Sequence, residues 1–239
     1  MNALKTNKDI KLDSDFTGAR LLDTDVYPLT ITAAYALKSK KGALMFTLTG
    51  TLESGKEFST QTCVVSGKGK NTYTNKKTGD EAYLPGFVIA NTLSLLAIGK
   101  EIGDVDTDDK VINIYNFEKK GDLPTTVQMF SELVGAEVLL AVEKQIVDKQ
   151  AQNDQGDYVA TGETREVNEV TKVFRARDSL TVTEITAEAT EATYIHTWKA
   201  ANEGTVKNKS KVNGTATGAP PAAGKTSAAA AGGVKSLFN

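Results

Sequence analysis

Between Val26 and Val65, apolar residues recur at every second position in three short stretches separated by polar turns. That period lines one face of an extended chain, whereas a helix repeats its faces about every 3.6 residues. Leu29, Ile31, Ala33, Tyr35 and Leu37 form the first row, with Thr30 and Thr32 opposite, and Lys38-Ser39-Lys40-Lys41-Gly42 makes a turn. Leu44, Phe46, Leu48 and Leu52 alternate with Met45, Thr47, Thr49 and Thr51 in the second. Gly50 interrupts that row, as a glycine at a bulge or sharp bend does. Glu53-Ser54-Gly55-Lys56 makes the next turn, and Phe58 to Val65 supplies a third strand. The expected product is an antiparallel meander.

The remaining chain reads as follows. Residues 1–25 are a polar arm without period, 26–204 a single folded domain, and 205–239 a Gly/Ala/Pro tail too poor in large apolar residues to fold. Residues 66–82 read as a long polar loop rich in Gly and Lys. Pro85 and Gly86 open a helix that presents Ile89, Leu93 and Leu96 on one face and stops at Gly99. Thr125 or Thr126 is expected to cap a second helix, with Val127, Phe130 and Val134 inward and Gly135 at its end. Glu137 to Asp148 returns to strand pattern through Val138, Leu140, Val142 and Ile146, and Gln152-Asn153-Asp154-Gln155-Gly156-Asp157 is a turn. Strands are expected around Val167 to Phe174 and Thr181 to Ile185, then a helix from Thr190 to Ala201 carrying Tyr194, Ile195 and Trp198 on one side. The predicted fold is mainly β: an OB-fold-like antiparallel barrel with a helical insertion, a C-terminal helix and a disordered C-terminal tail.

Two counts narrow the chemistry. Cys63 is the only cysteine and His196 the only histidine, which removes the His–Cys zinc sites, the Ser-His-Asp triad and the Cys-His dyad. No enzyme, catalytic residue, metal or cofactor is expected. Asp104-Val105-Asp106-Thr107-Asp108-Asp109 begins like a calcium loop, but Asp109 stands where that loop needs glycine and Tyr115 where it needs glutamate. Gly67-Lys68-Gly69-Lys70 lacks the spacing and the Ser/Thr of a phosphate loop. A lone cysteine points to a reducing compartment, and neither an apolar leader nor a membrane-length apolar run is visible, so a cytoplasmic location is expected.

Charge is distributed unevenly. The chain carries −2 overall, yet residues 205–239 hold five lysines and no acid. Residues 26–83 hold eight lysines against Glu53, Glu57, Asp80 and Glu81. Aromatics are interleaved with these lysines. The candidate set for binding single-stranded nucleic acid, DNA or RNA, is therefore Tyr35, Lys38, Lys40, Lys41, Lys56, Phe58, Lys68, Lys70, Tyr73, Lys76, Lys77 and Tyr83. A cationic groove with aromatic faces holds single-stranded nucleic acid, each base stack contributing about 1–3 kcal/mol. Lysine is a mobile point charge suited to phosphate, and with Arg20, Arg165, Arg175 and Arg177 as the only arginines, base-specific reading is not expected. The plain alternative is lysine on exposed hairpins with aromatics turned to the core.

Tyr83-Leu84-Pro85-Gly86-Phe87, Gly99-Lys100-Glu101-Ile102, Asp109-Lys110-Val111-Ile112-Asn113-Ile114-Tyr115, Val142-Glu143-Lys144-Gln145 and Thr161-Gly162-Glu163-Thr164-Arg165-Glu166 resemble stretches of phage-encoded single-stranded DNA-binding proteins. The resemblance implies an OB-fold that coats and protects single-stranded DNA in replication, recombination or repair, in the cytoplasm of a host cell. It also implies recruitment of replication or recombination proteins through an apolar C-terminal tip, here Leu237 and Phe238, and allows a homo-oligomer. Proteins of that group often end in an acidic tail tipped by an aromatic residue, and this tail holds no acid. Two other classes compete: a structural phage protein that assembles without nucleic acid, and a metal-dependent nuclease built on Asp104, Asp106, Asp108 and Asp109.

Overall fold

The computed structural model describes residues 21–116, 119–153 and 158–211. The expected meander is present as β1 (Asp25–Lys38), β2 (Leu44–Leu52) and β3 (Glu57–Val65). A small separate sheet follows, β4 (Thr72–Thr74) with β5 (Glu81–Tyr83), so the polar stretch 66–82 contains a short hairpin. Helix α1 (Pro85–Ile98) has Pro85 in its first turn and closes on Gly99 at φ 77°, whose N–H reaches the Leu95 carbonyl. Next come the hairpin β6 (Asp108–Asn116) and β7 (Gly121–Met129), and the long pair β8 (Glu137–Gln152) and β9 (Tyr158–Arg175). Helices α2 (Val182–Thr186) and α3 (Tyr194–Asn202) lead to β10 (Val206–Asn208).

The main sheet runs β10-β8-β1-β2-β3, with β9 on β8 and the β6–β7 hairpin joined to β1 through β7. Among the described strands only β10 is parallel to its neighbour, β8. The chain is mainly β, as expected, but the sheet is not closed into a barrel. Among the described residues β3 pairs only with β2 and β9 only with β8, so no ladder joins the two there, and α1 packs against both. Gly86 lets α1 sit on β3, because a Cβ there would collide with the Thr62 hydroxyl and the Cys63 carbonyl.

A bulge redirects β1. Ile31 pairs with Gly50 and Ala33 with Thr49, leaving Thr32 as the extra residue. Leu29 and Ile31 point into the core before it, and Ala34 and Ala36 after it. The single apolar row expected along β1 is therefore split, and Tyr35 and Leu37 turn to the opposite face. Gly50 is needed here: a Cβ would stand 2.5 Å from the Thr30 carbonyl oxygen and 2.6 Å from Leu29 Cγ. β1 also changes its edge partner nearby, from Glu137 of β8 at Thr30 to Met129 of β7 at Tyr35.

The larger core gathers Leu29, Ile31, Phe46, Leu48, Leu93, Leu133, Leu140 and Val173, with Phe46 and Phe130 edge to face at 5.6 Å. A smaller cluster of Ala141, Phe174, Ile195 and Trp198 places α3 against the β8–β9 pair. Here the helical spacing of Ile195 and Trp198 matches the expectation.

Several elements differ from the sequence-based expectation. Thr125 and Thr126 lie in strand β7 and cap no helix. Val127 is buried there, while Val134, expected inward, is 46% exposed. Residues 181–185 form no strand. Thr181 and Glu184 make a reciprocal capping box that starts α2. The folded region also extends past both expected borders. In the arm, Leu22 exchanges two hydrogen bonds with Asn168, and Thr24 is buried, its hydroxyl donating to the Thr205 carbonyl. In the tail, β10 joins the sheet. The tip residues Leu237 and Phe238 lie outside the described residues. Among the described residues no helix is long and apolar enough to cross a membrane.

Candidate nucleic-acid interface

A strand rises about 3.3 Å per residue, so the nine-residue strands β2 and β3 separate their two ends by roughly 30 Å. Turns of the meander therefore fall at opposite ends. The 39–43 turn and the 66–70 turn share one end and touch: a Cβ on Gly67 would stand 2.5 Å from the Lys41 carbonyl oxygen. Each is closed by its own serine. Ser39 Oγ accepts from the Ala43 N–H, and Ser66 Oγ donates to the Lys70 carbonyl at 2.9 Å. Their contact groups Lys38, Lys40, Lys41, Lys68 and Lys70, all exposed, at one end of the sheet. Lys56 sits in the turn at the other end and does not belong to this cluster.

Two further hairpins reach the same end. A cleft of about 640 Å³ is lined by Ser39, Lys40, Lys41 and Ala43 from the first turn, Tyr115 and Asn116 from the tip of β6–β7, and Gln152 and Tyr158 from the far end of β8–β9. Tyr115 is 51% exposed and Tyr158 66%. Lys119 and Lys120, also exposed, follow in the β6–β7 turn, where the Lys119 N–H donates to Asn116 Oδ1. The β8–β9 arm carries an ion pair, Lys149 to Glu163 at 2.7 Å, and the lysine hydrogen bond holds the Glu163 carboxyl below the usual range. Two phenol faces beside two lysines form a surface able to stack bases and neutralise phosphates.

The other candidates divide. Tyr35 is half-buried on the outer face of the meander, in one cross-strand row with Thr47 and Gln61, whose amide donates to the Thr47 hydroxyl at 3.0 Å. Tyr73 and Tyr83 are exposed on the β4–β5 hairpin, which carries Lys76 and Lys77 in its turn, and the Tyr83 ring lies 5.1 Å from that of Phe87. Phe58 is a correction. It is only 8% exposed and belongs to the main core, where no base could reach its ring.

Tyr115, Tyr158, Lys119 and Lys120 were missed by sequence reasoning. The available signal was alternation: Ile112 and Ile114, then Leu123, Thr125 and Val127, on either side of Lys119-Lys120-Gly121.

The acidic connector does not converge. Asp104 ends a 3-10 turn, while Asp108 and Asp109 enter β6 as neighbours on opposite faces, Asp108 accepting from Ser131 Oγ at 2.8 Å. Among the described residues no group of three His, Cys, Asp or Glu side chains is placed to hold a metal ion. In comparisons with known proteins, the chain matches no family model and no curated sequence.

Proposed function

We propose that this chain binds single-stranded DNA without sequence preference, holding it in the cleft between the 39–43 turn and the tips of the β6–β7 and β8–β9 hairpins. The observation that carries this reading is the meeting of Lys40 and Lys41 with the exposed rings of Tyr115 and Tyr158. Lysines at this end, including Lys68 and Lys70, attract the backbone, and the tyrosines stack unpaired bases. A duplex keeps its bases stacked inside and gains only the phosphate contacts, so it binds more weakly. This reading agrees with the resemblance to phage-encoded single-stranded DNA-binding proteins and with an OB-like role in replication, recombination or repair.

A structural phage protein is the second reading, favoured by the exposure of Val111 (66%) and Tyr115 on the β6–β7 hairpin, a surface suited to packing against another chain. Titration of a fluorescent oligo-dT and a duplex of equal length, each at two salt concentrations, separates them. Single-strand binding that weakens with salt and exceeds duplex binding supports the proposal. Absence of binding to either, with large DNA-independent oligomers, supports the structural protein. Equal binding to both leaves only a general polyanion surface.

A further inference from the structure

Among the described residues β6 pairs only with β7, through an unbroken register from Asp108 opposite Met129 to Asn116 opposite Gly121. Every second residue of such a strand directs its N–H and C=O away from the sheet, where another chain can pair with them. Proline, a bulge or a covering helix usually blunts an edge of this kind. α1 packs against β3 and β9, and Pro124 interrupts β7. β6 has neither proline nor bulge, and its middle is Val111-Ile112-Asn113-Ile114, with Val111 66% exposed.

Charge selects the occupant. Asp104, Asp106, Asp108 and Asp109 are exposed at the start of β6, with Lys110 beside them. Lys119 and Lys120 are exposed at its far end. Glu118 and Asp122 flank these two in sequence, and the exposed Lys68 and Lys70 keep that end of the sheet basic. One edge thus runs from an acidic end to a basic end. A second copy of this chain presents the same edge. Two identical edges meet side by side only when antiparallel about a twofold axis, which sets each acidic end beside the lysines of the other copy. With the axis at Ile112, all nine residues of β6 gain a partner. Ile112 then meets Ile112, Val111 meets Asn113 and Lys110 meets Ile114 of the other copy.

We propose that β6 is the interface of a homodimer in which two copies join edge to edge into one continuous sheet. Backbone hydrogen bonds, the apolar middle of β6 and the opposed charges at its ends hold the pair. Pairing consumes the edge in both copies, so assembly stops at two. This goes beyond the cleft reading and does not depend on what the cleft binds.

Sedimentation equilibrium of the full chain without DNA tests it, alongside the V111K, D106K/D109K and K119E/K120E variants. Wild type is expected as a two-copy species that dissociates on dilution and as salt rises. V111K, at an exposed position, sets two ammonium groups near the axis and is expected to weaken association by about tenfold or more with its fold intact by circular dichroism. D106K/D109K and K119E/K120E each oppose like charges and lose the dimer alone. Mixed together, they restore attraction at both ends and form a heterodimer. Wild type that stays single-copy at its highest soluble concentration overturns the proposal, as does a dimer that V111K leaves intact. Open-ended assemblies larger than two also overturn it and favour the structural-protein reading. Failure of the two charge variants to pair when mixed overturns the antiparallel edge.

Discussion

Gly67 lies so close to the backbone carbonyl of Lys41 that a Cβ would stand 2.5 Å from that oxygen. Through this contact the 39–43 and 66–70 turns place their lysines at one end of the sheet. A side chain at position 67 must push the turns apart. Gly67→Val is expected to lower stability by about 1–3 kcal/mol, the usual cost of overpacking, and to weaken single-strand binding by more than that loss alone would. Denaturant unfolding and oligo-dT titration of the same sample check both.

Tyr115→Ala and Tyr158→Ala should each weaken oligo-dT binding by about 1–3 kcal/mol with little change in melting temperature, since both rings are largely exposed. Phe58→Ala should do the reverse. It empties part of the main core, lowering stability by about 3–5 kcal/mol. Parallel melting and binding measurements on the three variants test this division.

Glu184 joins two helix starts. Its carboxylate accepts from the Thr181 N–H at 2.9 Å and from the Thr193 and Tyr194 N–H groups at 2.8 Å each. Burial by itself would raise its pKa, but these backbone donors and the Thr181 hydroxyl outweigh it and bring the pKa down to about 2. A carboxyl lowered on folding stabilises fully above its unfolded pKa and loses that contribution as pH falls through the folded value. The stability difference between wild type and Glu184→Ala should therefore be constant above about pH 5 and shrink steadily toward pH 2. A difference independent of pH over that range would assign the effect to packing.

Ser94 is fully buried, and among the described residues its hydroxyl has no hydrogen-bond partner. An unsatisfied buried hydroxyl is a desolvation cost that alanine removes. Ser94→Ala is expected to be neutral or to stabilise by on the order of 1 kcal/mol, read as an unchanged or higher denaturant midpoint. A loss of stability would mean that the hydroxyl is satisfied in solution.

The meander was legible because residues 29–31, 44–52 and 58–65 follow the period of a strand, and α1 because Pro85 and Gly99 bracket it. What local pattern could not reveal was the bulge at Thr32. One extra residue turns Tyr35 and Leu37 to the other face without changing the alternation on the page. β7 was misread because Val127, Phe130 and Val134 happen to repeat at helical spacing, although Leu123, Thr125, Val127 and Met129 also alternate. α2 was misread because Val182, Thr183 and Ile185 are β-branched, and the capping box of Thr181 with Glu184 overrides that preference. The lysines of the interface stood out as a cluster, and Tyr115 and Tyr158 did not. The cleft is assembled from three hairpins distant in sequence, and strand pairing alone brings their tips together.

The most direct measurement is ultraviolet cross-linking of the full chain to oligo-dT, followed by peptide mapping of the adducts. Occupation of the cleft predicts adducts on the peptides that contain Tyr115 or Tyr158, lost when excess unlabelled oligo-dT competes. Adducts confined to Tyr73 and Tyr83 on the β4–β5 hairpin, or none at all, would contradict it.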